Sequence, residues 1–562
     1  MGLREKIFVL LVFLLAFASM VFPTIVILNS QNYEDIVSCA VFASYHNYTY
    51  IFALTPNQSV FISKYYTVDK DVPIIYIEGN KTVLPNMAAL LKDSGAKHLT
   101  IVDSVNPQYW IADNMDNQQA IIVGSQYGQD ALSVSSYAAV TGAPIFFIEN
   151  PAQSQAAVSE ISSRGYSQVI IYGPVAHQIP AEYLELLPQK RVIDTGSRYS
   201  NNLEIVKEFL KITPTRQAMF VSGYVFEKSM VDKDYPLILV GRSDYPPSLP
   251  EFIDETKITT GIIFAGDADI VDGVNKLRAE KPSIAFFVKF GEGYRGNSQA
   301  LPLMIIPLPS PQLSLEVINI SYNVPSKIFE LRIANHGDFI AVSAGASIEG
   351  IGSAQSSQIL IDGSTATTLS IPLDASRAIS GNFIPQAVIT IRYGEDTALM
   401  DNIDAITFTN IPTSFYNDTS EVRLTGVSYS GNEKAFLLEF EGNGWAEGTL
   451  GFNINNRPIV LRIPLSQIDG KTVVKIKYLL SSDEEKFIKG IDSSYFIRSG
   501  ERSDILIKET RGQSEIESDI GGAALNLGDL EVPTVYLFLF AVAIVGGILI
   551  YKYYVGGADS FD

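Results

Sequence analysis

The chain has 562 residues, 47% of them hydrophobic and 18% charged, with a formal net charge of −20. At roughly 150 residues per domain this length allows three or four domains with ample core, and the composition excludes both a disordered chain and a polytopic membrane protein. The acidic excess excludes nucleic acid as a partner, because a polyanion needs a Lys/Arg surface to displace its counterions.

Residues 1–30 read as a signal peptide or signal anchor. Arg4 and Lys6 precede the apolar run IFVLLVFLLAFASMVFPTIVIL (7–28), and Ala16-Phe17-Ala18 supplies small residues for cleavage. The single cysteine, Cys39, excludes an internal disulfide framework, so stability must come from packing, metal or assembly.

From residue 38 onward, apolar runs of five or six residues alternate with helical patterns, the signature of βαβ units around mostly parallel sheets. The pattern comes three times, at 38–118, 119–212 and 213–308. In the first copy TYIFALT (49–55) and VPIIYIEGN (72–80) lead to a helix over 85–96 and the strand HLTIVD (98–103). The second opens with AIIVGSQYGQDALSVSSYAAVTGAPIFFIEN (120–150) and continues through QVIIYG (168–173), a helix over 181–187, RVIDTG and a further helix. The third has QAMFVSG (217–223), YPLILVG (235–241), a helix over 249–256 and TGIIFAGDADIVDGVNKLRAE (260–280).

The stretch VGSQYGQD has two glycines in a strand-to-helix loop but neither the Gly-x-Gly-x-x-Gly spacing nor the later acidic residue of a dinucleotide site. The second copy instead resembles the cell-wall-binding repeat 2 family, through Asp130-Ala131-Leu132, Gly142-Ala143-Pro144 and the Gly-x-x-Arg-Tyr turn at Arg198 and Tyr199. The resemblance implies a triplet packed as a pseudo-threefold platform that holds an anionic wall polymer, with Asp130, Arg198 and Tyr199 as candidate ligand-binding residues. Capping or bracing loop backbone is the structural alternative for Asp130. The first copy lacks an evident Asp-Ala-Leu counterpart, and the third keeps mainly IIFAGDADIVDGVNKL.

Within that run Asp267, Asp269 and Asp272 are the candidate metal ligands. Calcium is the one ion they would suit, although the third carboxylate falls one place late for a calcium loop. No other cofactor is expected. His46, His98, His177 and His336 stand in no metal-ligand spacing, and no nucleophile elbow appears. A carboxylate-based hydrolase would need Asp103, Asp113 and Asp116 to converge; the expectation is that the protein is not an enzyme.

From residue 313 the period changes to two. LSLEVINISY, KIFELRIAN, ILIDGSTATTLSIPL and AVITIRYGED read as a sandwich of about seven strands over 312–412, and IANHGDF with IPLDASRAISG resembles the immunoglobulin-like CARDB family. A second β-sandwich follows over 417–510, then an acidic, Gly-containing stalk over 511–531. Residues 532–551, VPTVYLFLFAVAIVGGILIY, match the length of one transmembrane helix, with Lys552 and a cytoplasmic tail over 552–562 behind it. Asn-x-Ser/Thr sequons at Asn47, Asn57, Asn80, Asn319 and Asn417 all fall in the outer part.

The expected fold class is thus an α/β N-terminal half of three βαβ-type repeats with parallel sheets, followed by all-β immunoglobulin-like sandwiches and a single C-terminal transmembrane helix. The expected function is that of a non-enzymatic cell-envelope protein on the outside of the cell membrane, of the archaeal surface-layer glycoprotein type, building or anchoring a lattice with itself or other envelope proteins. The alternative is an adhesin or receptor that binds polysaccharide or peptide, for which Tyr127, Tyr137, Tyr199 and Tyr224 would line a pocket.

Overall fold

Short runs of Ile, Val, Leu and Phe, buried on both faces in the central strands, form three parallel sheets. The computed structural model describes residues 24–519, apart from 57–58, 60–61, 63–70, 104–105, 117, 291–294, 297–298, 301–304, 455–456 and 481, together with 524–527 and 530–533. The chain divides into two compact units, Met1–Ser420 with Arg498–Glu509 and Glu421–Ile497 with Thr510–Asp562.

In the first unit, copy one runs β1 (Ile25–Asn29), α1 (Tyr33–His46), β2 (Thr49–Phe52), β3 (Ile74–Glu78), α2 (Met87–Asp93), β4 (Leu99–Asp103) and α3 (Pro107–Asp113). Copy two runs β5 (Gln119–Gly124), α4 (Gly128–Thr141), β6 (Ile145–Ile148), α5 (Pro151–Arg164), β7 (Gln168–Tyr172), α6 (Ala181–Leu186), β8 (Gln189–Ile193) and α7 (Arg198–Ile212). Copy three has β9 (Gln217–Val221), β10 (Val225–Glu227), β11 (Leu237–Leu239), α8 (Leu249–Thr256), β12 (Thr260–Phe264), α9 (Val271–Glu280) and β13 (Ala285–Lys289). Their sheet orders, β2-β1-β3-β4, β6-β5-β7-β8 and β11-β9-β12-β13, are the same path: second strand, first, third, fourth. The triplication read from the sequence is therefore one topology used three times.

Copy one does not open at residue 38. Its central strand is β1, inside the segment expected as leader, where Val26, Ile27 and Leu28 are fully buried. A parallel central strand is as apolar as a signal sequence, so hydropathy merges the two. With β1 in place, the loop Asn29-Ser30-Gln31 and Asp35 occupy the positions of Gly124-Ser125-Gln126 and Asp130 in copy two, and this is the counterpart that sequence reading missed.

The three copies share one core. Helices α1 and α4 are buried on almost every side and pack together, which their small residues permit. The Tyr33 hydroxyl of copy one donates to Ser125 O of copy two at 2.7 Å, and Phe52 meets Phe226 of copy three at 5.9 Å. Helix α3 leans on copy two through Tyr109 and Phe146, and α7 covers copy three through Leu203 and Val206. In copy three a first helix is missing: VFEKSM makes β10 and a 3-10 turn, and β10 pairs antiparallel with β14 (Ile305–Pro307).

The β domain of this unit has eight strands: β15 (Leu315–Asn323), β16 (Ile328–Asn335), β17 (Ile340–Ile348), β18 (Gly352–Gln355), β19 (Ile359–Ile361), β20 (Thr365–Ile371), β21 (Phe383–Gly394) and β22 (Asn402–Ser414). They follow the order β18-β17-β21-β22-β15-β16-β20 with β19 on β17, antiparallel except where Tyr322 and Asn323 join Thr413 and Ser414. The second unit is built on β23 (Glu421–Ser430), β24 (Ala435–Ile454), β25 (Arg457–Lys477), β26 (Asp492–Gly500) and β27 (Lys508–Ser518). Its order β23-β27-β26-β24-β25, with β23 also on β24, closes a circuit of four strands. Residues 511–518, expected as the start of a stalk, belong to β27, where Ile516 is fully buried and pairs with Val427. Among the described residues no helix is long and apolar enough to cross a membrane, and the span expected at 532–551 lies outside them but for its first two residues.

A chain that starts at Thr24 is expected to melt cooperatively, whereas one that starts at Ser38 loses β1 and the first turn of α1 and should not fold. Burial of Val26, Ile27 and Leu28 alone contributes roughly 5–9 kcal/mol, as large as the stability of a whole domain. Calorimetry of the two truncations distinguishes them.

Candidate functional site

Five of the side chains singled out on the platform, Tyr127, Asp130, Arg198, Tyr199 and Tyr224, gather at one place, and their partner comes from the β domain. Ser197 caps α7, accepting from Ser200 N at 3.4 Å, which sets Arg198 in the first turn. From there the Arg198 guanidinium donates to Glu395 Oε2 at 2.9 Å and to Gln129 Oε1, and it lies 5.4 Å from the Tyr127 ring centre. Glu395 ends the strand pair β21–β22 in the hairpin GEDTALMD (394–401). Its other oxygen accepts from the Tyr224 hydroxyl at 2.8 Å, and the Gln129 amide donates to Oε2 at 3.2 Å.

The same hairpin is fastened on both sides of this pair. Asp396 Oδ2 accepts the backbone N–H of Arg198 at 3.0 Å, Asp401 Oδ2 accepts that of Arg242 at 2.8 Å, and Leu399 enters the platform core. Gly394 permits the turn, since a Cβ there would stand 2.4 Å from Leu399 O. A second hairpin of the first unit repeats the device. A Cβ on Gly500 would meet Ile505 O at 2.1 Å, Glu501 accepts from Tyr416 at 3.0 Å and Thr419 N at 3.1 Å, and Arg498 donates to Leu506 O at 3.2 Å.

Charge explains why the junction is tight. Burial works against the Arg198 charge, but Glu395, Asp130 and Asp396 around it hold its pKa above the ordinary value. Asp396 is raised by burial, an effect its bonds from Ala398 and Ser197 offset in part. Tyr199 is 5% exposed and burial pushes its hydroxyl well up, so it fills space beneath the junction.

Asp130 does not cap α4, and no hydrogen bond to it occurs among the described residues. Its counterpart Asp35 shows what differs: Asp35 Oδ2 accepts from Ser30 Oγ at 2.7 Å and from Asn80 N at 3.0 Å, over Gly79. In copy two the carboxylate sits over Gly173, but the next residue is Pro174, which has no N–H to offer. Burial therefore pushes Asp130 up to about 6, with Arg198 pulling it down and Asp194 pushing it further up. Gly128 of the VGSQYGQD loop is also accounted for. A Cβ there would strike Leu308 at 2.7 Å, and its N–H donates to Pro309 O at 2.8 Å.

The remaining candidates do not converge. Asp267 is buried and accepts from Ser222 N at 2.6 Å, Asp269 is exposed 3.6 Å from Arg242, and Asp272 lies exposed in the first turn of α9. Among the described residues no group of three acidic, His or Cys side chains is placed to hold a metal ion. Asp113 pairs with Arg164 at 2.9 Å on the surface, Asp116 is exposed, and Asp103 ends β4. Tyr137 is buried and donates to Gln119 at 2.9 Å, away from the junction. An open groove of about 440 Å³ does lie beside the hairpin, lined by residues that include Tyr245, Pro247, Glu280, Arg392 and Met400. Sequence reading missed Gln129, Glu395, Asp396 and Asp401; the one signal was the acidic turn GEDTALMD closing an otherwise apolar hairpin.

No protein-family model matches the chain, and neither does any curated protein sequence. Among solved structures, the chain is similar to Cwp8 from Clostridium difficile (16% identity, TM-score 0.39, 46% of this chain and 48% of that one). It is similar also to Cwp6 from the same organism (14%, TM-score 0.32, 42% and 40%). A bacterial ice-binding adhesin of 1.5 MDa matches at 12% identity and TM-score 0.14, over 38% of this chain and 67% of that one. The chain spans less than half the length of the two Clostridium proteins, and likenesses this slight carry no functional inference.

Two outcomes follow from the junction. Arg198→Met leaves Glu395 buried without a cation and is expected to cost about 3 kcal/mol, whereas Arg198→Met with Glu395→Leu recovers much of that loss; a double-mutant cycle by calorimetry reads the coupling. For Asp130 the folded pKa lies above that of the unfolded chain, so its contribution to stability is complete below about pH 4 and is lost as pH rises through about 6. Asp130→Asn should therefore raise the melting temperature at pH 7, by the equivalent of up to about 3 kcal/mol, and the gain should vanish near pH 4. Melting curves from pH 4 to 8 check this.

Proposed function

We propose that this chain is a non-enzymatic cell-envelope protein whose triplicated α/β platform builds or anchors a surface layer. The observation that carries the reading is the fate of Arg198, Tyr199, Tyr127 and Tyr224. Arg198 and Tyr224 are bonded to Glu395 of the 394–401 hairpin, Tyr127 lies against the Arg198 guanidinium and Tyr199 is buried, so these side chains serve to fasten the β domain to the platform. Such fastening, and not a reaction centre, is what a repeating array asks of its subunit. Weak contacts between such bodies gain strength through repetition.

In this reading the protein is exported, the bulk of the chain lies outside the cell, and residues 532–551 tether it to the membrane. Its partners are other copies or other envelope proteins. Copy three offers a surface for them, since its outer edge strand β13 carries Phe287 and Val288 at 60% and 56% exposed, with Phe290 beyond it at 78%. Calcium bridging between subunits belongs to the same reading, through exposed carboxylates such as Asp269 and Asp272.

The second reading, an adhesin or receptor for polysaccharide or peptide, is favoured by the groove at Tyr245 and Arg392. Electron cryo-tomography of native envelopes with the chain labelled separates the two. A periodic array carrying the label is expected; scattered single stalks would overturn the lattice and direct glycan arrays at the groove.

A further inference from the structure

The second unit repeats the β domain of the first. Strand β23 pairs with the first half of β24 and, in parallel, with β27, just as β15 pairs with β16 and, in parallel, with β22. The last third of β25 lies beside β24 as β20 lies beside β16. Side chains coincide too. Tyr322 meets Phe329 at 5.0 Å, and Tyr429 meets Phe436 at 4.9 Å. Lys327 and Lys434 both take the left-handed conformation (φ 56° and 49°), and both reach a carboxylate at 2.7 Å, of Asp374 and Glu485. Aligned on these pairs, Arg332, Thr368 and Ser370 of the first domain correspond to Glu439, Val473 and Lys475 of the second.

In the first domain these three positions receive a turn. Strand β20 is the outer strand of its sheet, yet Thr368 and Ser370 are buried, because hairpin 500–506 lies over them. Thr368 Oγ1 donates to Asp504 O at 2.8 Å, Ser370 Oγ to Leu506 O at 3.4 Å, and Arg332 stands 3.5 Å from the Asp504 carboxylate. In the second domain the corresponding positions are open. Strand β25 is again outermost, Val473 is 58% exposed, and Glu439 and Lys475 are exposed beside it. An uncovered edge strand with an apolar side chain at its centre is a surface prepared for another chain.

We infer that the edge 470–477 receives the turn of a β domain of the same type on another polypeptide, through the kind of contact that hairpin 500–506 makes with β20. The inference deepens, and rests on, the reading of this chain as an exported envelope protein with envelope partners. Charge decides which turn fits. Glu439 stands where the first domain has Arg332, so a turn with Asp at the 504 position, this chain's own, would set carboxylate against carboxylate; hairpin 394–401 has Ala398 at that position. Both hairpins are, moreover, engaged within the first unit. The partner's turn therefore carries Lys or Arg opposite Glu439. It also offers an oxygen to Lys475, whose ammonium has donors beyond its 2.5 Å pair with Glu433. Edge-to-edge pairing of two copies is disfavoured, since it sets Lys471, Lys475 and Lys477 against one another.

The test is photo-crosslinking, in source cells, of the full-length protein with p-benzoylphenylalanine in place of Val473, followed by mass spectrometry of the joined peptides. The expected product links this edge to a Gly-Glu turn closing a strand pair of a β domain in a different protein, with Lys or Arg three residues after the Glu. Adding Glu439→Lys, at an exposed position, should cut the product by about tenfold or more. A product with β25 of a second copy, a product with any other surface, or no product at all overturns the docking. The export reading is checked separately. Glu349, on an exposed turn of the first β domain, is replaced by Glu349→Cys, and intact cells are treated with a membrane-impermeant maleimide that cannot reach buried Cys39. A labelled chain without the expected crosslink overturns the docking alone; an unlabelled chain overturns it together with the export reading.

Discussion

The constraint on which the platform depends is that no single copy can bury its own first helix. Helices α1 and α4 are apolar or small on nearly all sides, and each needs more surroundings than one four-stranded sheet provides. Bringing the copies together places both helices in one core, lined by Phe52, Phe226 and Leu237 among others. This is the logic of repeat architectures, where neighbours supply the surface that the isolated unit lacks. The trailing helices extend it, α3 covering copy two and α7 covering copy three.

Copy three breaks the pattern, and the break opens the route to the β domain. Where copies one and two have a helix, copy three has the short strand β10, whose edge is free to pair with Ile305–Pro307 as the chain leaves the platform. The exit then runs past Gly128, which has no side chain to obstruct Leu308. The hairpin 394–401 returns to the platform from the far end of β21. Its acidic residues would oppose an acidic surface, and a single guanidinium, with the N–H groups of Arg198 and Arg242, gives them partners. A buried pair of this kind adds little net stability over an apolar contact, yet it admits only one register for the hairpin.

Asp35 and Asp130 show how one chain gives the same residue two environments. Both sit over a glycine at the end of the third strand of their copy. Asn80 supplies an N–H to the first, whereas Pro174 supplies none to the second, which leaves Asp130 to interact with Arg198 through space. A difference at the neighbouring position thus changes a loop brace into part of a junction.

What the sequence determined by itself was whatever is local: the triplicate of apolar strands and helices, the change of period near residue 313, the acidic surface, and the sequons. These were legible because periodicity, composition and short motifs are carried by residues within one or two turns of each other. The tertiary structure alone decided that residues 25–29 are a strand and not leader, that residues 511–518 are sheet and not stalk, and that Asp267, Asp269 and Asp272 point to different neighbours. It also decided that Arg198 and Tyr224, selected as ligand residues, face Glu395 from a different domain 197 and 171 positions away. An apolar run has the same hydropathy in a sheet as in a leader, and an arginine the same charge before a ligand as before a carboxylate; only the partner brought alongside by folding separates the alternatives.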